Sequence, residues 1–241
     1  MVTPSPLAAN CDFLVVGSGS AGLSAALRAA KGGLSVQVIE KSDKHGGTSA
    51  MSGAGIWMPA NHVARGQGIA DSPEEALAYI RATAPEGWGQ SEDKLWQAFA
   101  EKAPQALEFI DQNTPLKFVV TIEPDPFSEA TGAKLRGRQL TVRPLSRWRL
   151  GRLSGRLRRS TLVNFIAYDE MVSIDPYHQP FRAVWKLWPR ILWRFASNRR
   201  GQGNALMTGR ISSCLDLGVT FHRRTQALRL LQDDAGAVTG V

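Results

Sequence analysis

Gly17, Gly19 and Gly22 stand at G-x-G-x-x-G spacing in the run VVGSGSAGL, and Glu40 follows 18 residues after the last of them. Glycines so placed serve anion chemistry. The first permits a tight turn, the second lets backbone N–H groups approach a pyrophosphate, and the third lets a helix pack closely on a strand. Gly17, Ser18, Gly19, Ser20, Ala21 and Gly22 are therefore the candidate phosphate-binding residues. An acid about 20 residues further on can accept hydrogen bonds from ribose hydroxyls, which makes Glu40, with Lys41 beside it, the candidate ribose contact. Soon afterwards Gly46, Gly47, Thr48, Ser49, Ser52 and Gly53 form a second patch of small and hydroxyl residues.

These groups need a βαβ frame to hold them. Phe13 to Val16 is a short apolar run of the kind a parallel strand buried on both faces requires. Ala21 to Ala30, rich in Ala and Leu, is the helix whose N-terminus would face the phosphates. Leu34 to Ile39 is a second apolar strand and delivers Glu40 at its end. The second patch runs directly into Ile56, Trp57 and Met58, without the charged or Pro-rich neighbours of an ordinary surface loop. Two flexible patches imply a long ligand. Amides and hydroxyls could continue along the pyrophosphate and reach an isoalloxazine ring, so the expected cofactor is FAD.

The segment VVGSGSAGLSAALRAAKGGLSVQVIEKSDKHGGTSAMSGAGIWMPAN resembles the FAD-binding start of a known flavoprotein family. That family contains the flavoprotein subunits of fumarate reductase and succinate dehydrogenase and the 3-ketosteroid dehydrogenases. GGTSAMSGAGIWMP is most similar to the ketosteroid dehydrogenase branch. The resemblance implies an FAD enzyme that passes a hydride between a substrate carbon and flavin N5, by desaturation next to a ketone. The alternative within the family is reduction of an unsaturated carboxylate, and the alternative outside it is a noncatalytic nucleotide- or membrane-binding module. In the succinate dehydrogenase branch a histidine directly before the loop threonine is bonded to the flavin. Gly47 occupies that position here, so FAD is expected to be noncovalent and His45 to be an exposed loop residue. The resemblance also implies that the backbone at Ala227 meets the adenine. In ketosteroid dehydrogenases a Pro-Asp and a tyrosine pair line the pocket where this chain has Pro124, Asp125, Pro126 and Phe127. For the Gly137-Arg138 pair, a phosphate or flavin-loop contact and a solvated arginine both remain open.

Composition narrows the classes. The chain has 241 residues, 43% of them hydrophobic, and a net charge of +8. No run approaches ~18 consecutive apolar residues, so no transmembrane helix is expected. The N-terminus lacks a basic region followed by an apolar stretch, which makes a cytoplasmic location the expectation. Cys11 and Cys214 form no C-x-x-C, and His45, His62, His178 and His222 sit at no metal-ligand spacing. Neither a metal nor, for want of a binding motif, a nucleic-acid partner is expected. The predicted partner is a small hydrophobic substrate, a ketone.

Further along, Ser72, Pro73, Glu74 and Glu75 open a helix. Another is predicted after Ser91, with Leu95, Trp96, Phe99 and Ala103 on a core face and Pro104 ending or kinking it. Phe118 to Ile122 is a predicted strand. In FRAVWKLWPRILWRF, residues 181–195, the cations Arg182, Lys186, Arg190 and Arg194 recur every four residues among three tryptophans. Two readings stay open for this helix: packing on the protein with the basic stripe in water, or peripheral contact with a membrane. Ala205 to Leu217 is a helix closed by Gly218. Strands follow at Val219 to Phe221 and Ala227 to Leu231, a turn at Asp233 to Gly236, and a new strand at Val238. The whole predicts an α/β fold, a Rossmann-like FAD-binding domain around a central parallel sheet and incomplete at its C-terminus. Within it, residues 11–60 are the βαβ unit, 61–200 a mostly helical insertion and 201–241 a return to the FAD domain. The family's substrate-capping domain, with its proton-removing tyrosine, is expected past Val241, so no catalytic residue is assigned.

Overall fold

A computed structural model describes residues 7–241. Strand β1 (Phe13–Val16) leads into helix α1 (Ser20–Lys31) and strand β2 (Val36–Glu40), which pairs with β1 in parallel, Val15 opposite Val38. A short 3-10 turn, Thr48–Ala50, and strand β3 (Ile56–Trp57) follow. Helices α2 (His62–Arg65), α3 (Pro73–Thr83) and α4 (Gly89–Asn113) come next. Strands β4 (Phe118–Val120) and β5 (Gln139–Val142) pair antiparallel with each other, and β5 also pairs with β3, giving the order β3-β5-β4. A mostly helical 61–200 therefore also contains strands of a second, antiparallel sheet, whose short strands carry too little periodicity to announce it.

Strand β6 (Leu145–Ser146) opens into 3-10 turns over Arg147–Arg156, then helices α5 (Tyr168–Ile174) and α6 (Pro180–Ala196). Strand β7 (Arg199–Arg200) returns to pair with β6. Helix α7 (Gln202–Asp216) then leads to β8 (Thr220–Arg223), which lies parallel to β2 and completes the order β1-β2-β8. Strands β9 (Leu231–Gln232) and β10 (Val238–Gly240) form a final hairpin.

The core that holds the parallel sheet joins Val15, Val36 and Val38 to Leu23, Ala26 and Leu27 of α1 and to Met207, Ile211 and Cys214 of α7. Every residue of α7 from Gln202 to Cys214 is buried, which is why its sequence shows no polar face. A second core gathers Leu107, Ile110, Leu116, Leu140 and Val142 around the antiparallel sheet.

Several expectations change. Among the described residues β1 lies at the edge of its sheet; Val15 is buried but Phe13 and Val16 are exposed, so β1 is not covered on both faces there. Helix α4 runs unbroken through Pro104. Ala100 and Ala103 before it and Leu107 and Ile110 after it are all buried, and that anchorage outweighs the ~3 kcal/mol that an internal proline costs. Leu95 and Phe99 do not join the core; both are exposed, with Phe99 stacked 6.0 Å from Trp57. Residues 227–230 form no strand, since they lie over a cavity rather than beside a partner strand. Finally α6 is inverted relative to the packed reading. Arg194 is buried, Arg190 reaches the same buried carboxylate, and the apolar side chains face outward.

Candidate functional site

The two glycine-rich patches meet. Gly17 has φ +97°, a conformation that costs a side-chain residue, so the turn after β1 depends on glycine. A Cβ on Gly22 would lie 2.4 Å from the Gly17 carbonyl oxygen, which gives this glycine its packing role. Gly19 is different. A Cβ there would touch only Ser49 Oγ, at 3.9 Å, so nothing in the protein fills the space over its backbone. Gly47, with φ +51°, packs against Gly19, since a Cβ there would sit 3.6 Å from Gly19 Cα. Ser20 N–H donates to Ser49 Oγ at 3.1 Å and ties the two patches directly. The first N–H groups of α1 have no carbonyl one turn back, and the Ser20 bond satisfies only one of them. Ala21 is exposed and Gly22 half-buried. The result is an open, backbone-lined cradle at a positive helix end, which fits a pyrophosphate.

Glu40 and Ser18 form the buried floor. Glu40 Oε2 accepts from Ser18 N–H at 3.1 Å and from Ser18 Oγ at 2.6 Å, and Oε1 accepts from Ser42 N–H at 3.0 Å. Burial pushes the Glu40 carboxyl up, but the Ser18 and Ser42 bonds outweigh it and hold it below the ordinary carboxylate range. A carboxylate offers about four lone-pair directions, so it keeps acceptor capacity for a ribose hydroxyl. Ser18 Oγ also accepts from Gly46 N–H at 3.0 Å, linking the floor to the second patch. Lys41 and Thr48 are exposed. Ser52 Oγ donates to the Ser49 carbonyl and accepts from Ala54 N–H, so it shapes the loop from within. Ala227 lies two residues past Thr225, whose N–H donates to the Glu40 carbonyl at 3.0 Å. It lines a cavity of about 670 Å³ on the sheet face opposite α1, together with Leu14, Gln37 and Ile39.

His45 is not an exposed loop residue. It is 1% exposed, with its ring edge-on to Phe221 at 5.3 Å. Its main chain explains this, because His45 N–H donates to the Arg156 carbonyl and its own carbonyl accepts from Arg158 N–H, drawing the side chain into the core. Burial drives its pKa down to about 4, against the pull of Glu40 and with the push of Arg223 and His222.

Arg138 is not solvated; it contacts the end of the cofactor loop, its carbonyl accepting from Met58 N–H at 2.8 Å and its guanidinium lying over the Trp57 ring. It is 1% exposed and pairs with Asp71 at 2.7 Å and Asp125 at 2.9 Å. Asp125 also accepts from Trp57 Nε1 at 2.7 Å, so this network pins the loop carrying Pro126 and Phe127 onto β3. Phe127 itself is 63% exposed.

Four further residues shape the site. Arg210, from α7, donates to Ser20 O and Oγ at 2.6 Å and to Ser24 Oγ at 2.5 Å, placing a cation under the first turn of α1. Burial lowers it to about 10, so it stays charged at neutral pH. Asn204 Nδ2 donates to the Ala50 carbonyl at 3.0 Å. A Cβ on Gly203 would fall 2.1 Å from Ser49 O. Tyr168 packs its ring on Gly53 and donates to Glu123 Oε1 at 3.0 Å, and burial, then Glu123, pushes it up to about 12. A glycine and an arginine inside an all-buried helix were the only traces of the α7 contacts in the sequence. Beside Asn204 lies a cleft of about 280 Å³ with Arg147, Arg159 and Arg200 around it.

A family model described as an FAD binding domain matches residues 12–241. The chain belongs to this FAD-binding family. It is 36% identical to 4-oxocyclohex-2-ene-1-carboxylate 5-dehydrogenase of Sinomonas cyclohexanicum, over 95% of this chain and 40% of that enzyme. It is 31% identical to 3-oxosteroid 1-dehydrogenase of Mycobacterium tuberculosis, over 95% of this chain and 42% of the other. Among solved structures, 3-ketosteroid delta1-dehydrogenase from Sterolibacterium denitrificans superposes with a TM-score of 0.79 at 31% identity, covering 92% of this chain and 42% of that one. The chain thus spans about two fifths of the length of these relatives. Its α/β architecture, parallel sheet and FAD-binding character are those of this family of flavin oxidoreductases.

Proposed function

We propose that the whole protein is an FAD-dependent dehydrogenase that forms a carbon–carbon double bond next to the ketone of a hydrophobic substrate. The observation that carries this reading is the joining of the two glycine-rich patches at the α1 N-terminus, with Ser20 N–H on Ser49 Oγ and Gly47 packed against Gly19, within a family whose similar members are named as ketone dehydrogenases. Bound FAD supplies a hydride acceptor at N5. The chain's own residues bind and orient it. The α1 N-terminus, backed by the Arg210 cation, holds the phosphates; Glu40 accepts from the ribose, with Lys41 at the rim; residues 46–53 guide the chain of the cofactor toward its ring. Gly47 supplies no nucleophile, so attachment is noncovalent. Tyr168 fixes Gly53 from behind, and the backbone at Ala227 meets the adenine.

A specific observation favours a keto acid as a second reading of the substrate. None of Arg147, Arg159 and Arg200 forms a salt bridge with a carboxylate among the described residues. Burial, then a neighbouring arginine, lowers Arg147 and Arg200 below the usual range, as expected of guanidiniums crowded without an anion. The cleft adjoins the cofactor loop through Ser160 Oγ, which donates to the Met51 carbonyl.

Both readings are tested on the purified full-length protein with an artificial electron acceptor, comparing a 3-ketosteroid with 4-oxocyclohexanecarboxylate. Turnover of the steroid alone supports the first reading, and turnover of the keto acid supports the second. A colourless protein that cannot be reconstituted with FAD would sink both.

A further inference from the structure

Helix α6 presents its apolar side to water. Phe181, Val184, Trp185, Trp188, Leu192 and Phe195 recur at three- and four-residue steps and are all exposed, Phe181 by 91% and Trp185 by 81%. The protein-facing side holds Ala183 and Leu187 with the buried Arg194. Its orientation is locked by charge. Arg194 donates from both Nη atoms to Glu170, at 2.6 and 2.8 Å, and Arg190 adds a bond at 3.1 Å. Rotating the helix to hide the apolar stripe would leave buried Glu170 without its cations, a costly exchange. The stripe extends over ~20 Å of helix, at 1.5 Å per residue, far more contiguous apolar surface than isolated exposed side chains create.

Charge selects the partner. Arg182 and Lys186 flank the stripe in solvent, and α6 contains no Asp or Glu. Residues 147–200 hold twelve Arg and Lys against only Asp169, Glu170 and Asp175, an excess larger than the whole chain's net +8. Tryptophans in an apolar stripe bordered by cations match the boundary between acyl chains and anionic headgroups.

We propose that α6 docks on the surface of an anionic phospholipid bilayer, its apolar stripe at the acyl boundary and Arg182 and Lys186 among the headgroup phosphates. Among the described residues no helix is long and apolar enough to cross a membrane, so the contact is peripheral. It uses no residue of the cofactor cradle and stands apart from the proposed reaction.

The test is sedimentation of the full-length protein with vesicles of phosphatidylcholine alone or mixed with phosphatidylglycerol, at low and high salt. The expected result is binding to the mixed vesicles, weakened by salt, and reduced by at least about tenfold in both W185E/L192E and R182Q/K186Q. Since these side chains are solvent-exposed, both variants should keep the wild-type melting temperature, and the milder charge pair remains if the first pair fails to fold. Equal binding to neutral and anionic vesicles, or no binding to either, overturns the proposal. So does self-association that W185E/L192E abolishes in the absence of vesicle binding, which would assign the stripe to a second copy of the chain.

Discussion

Both ring nitrogens of His45 are buried without a hydrogen-bond partner, an arrangement that only the neutral imidazole tolerates. Its folded pKa near 4 lies below the ordinary 6.5, so the unfolded chain takes up the proton first as pH falls. The stabilisation is complete above about pH 6.5 and is lost progressively down to about pH 4, by up to ~3 kcal/mol at 1.36 kcal/mol per unit. His222, also lowered by burial, acts in the same direction. Glu40, lowered as well, keeps its contribution until pH falls through its own carboxylate value, below the window of the histidines. His45→Leu should therefore flatten, without abolishing, the fall in stability between pH 6.5 and 4.5. Urea midpoints of wild type and variant at both pH values check this, and parallel losses in the two proteins would refute it. The residue scale also shows what the sequence carries. The turn role of Gly17 and the packing role of Gly22 could be read from spacing because each is set by the glycine's own backbone and nearest turn. The burial of His45 and of Arg138 depends on contacts with residues 111 positions away and 67 positions away, at Arg156 and Asp71, which spacing cannot show.

Helix α7 does more for the cradle than its composition announces. Its N-terminal turn packs on the 3-10 turn Thr48–Ala50, and Gly203 is the residue that allows this approach: Gly203 N–H donates to the Ser52 carbonyl at 2.9 Å. A methyl group there would lie 2.1 Å from Ser49 O and 2.8 Å from Ser52 O, both backbone atoms that cannot swing aside. Gly203→Ala must push α7 and the loop apart and misalign Ser49 and Gly47 against Gly19. Its expected effect is a loss of FAD affinity of about tenfold or more, alongside ~1–3 kcal/mol of stability from overpacking. Fluorescence titration of the apoprotein with FAD measures the first; unchanged affinity would show that the loop does not depend on α7. At this scale the βαβ unit was legible, since α1, β2 and the capping of α3 by Ser72 follow from local patterns. The path of α4 through Pro104 was not, and the orientation of α6 was left between two readings, because each is decided by what the helix packs against.

Over the whole molecule, the cradle sits where parts already packed in one core come together. The sheet's C-terminal edge contributes Gly17 and Glu40, the loop contributes residues 46–53, and α7 braces both through Arg210 and Asn204. Arg210 braces Ser20 across 190 positions of sequence, so a ligand seated at the α1 N-terminus depends on segments far apart in the chain. Folding and FAD binding are then linked, and free FAD at 100 times its dissociation constant should add ~2.7 kcal/mol of stability. Because Gly47 offers no side chain for attachment, this linkage should be fully reversible. Acid precipitation of the full-length protein is expected to leave the yellow colour in the supernatant. The stripped protein should melt at a lower temperature, and its melting temperature should climb with each tenfold rise in added FAD. Colour retained in the pellet would show a covalent bond and contradict the role assigned to Gly47. A melting temperature indifferent to FAD would mean that FAD does not bind the folded protein in preference to the unfolded one, and would contradict the cradle.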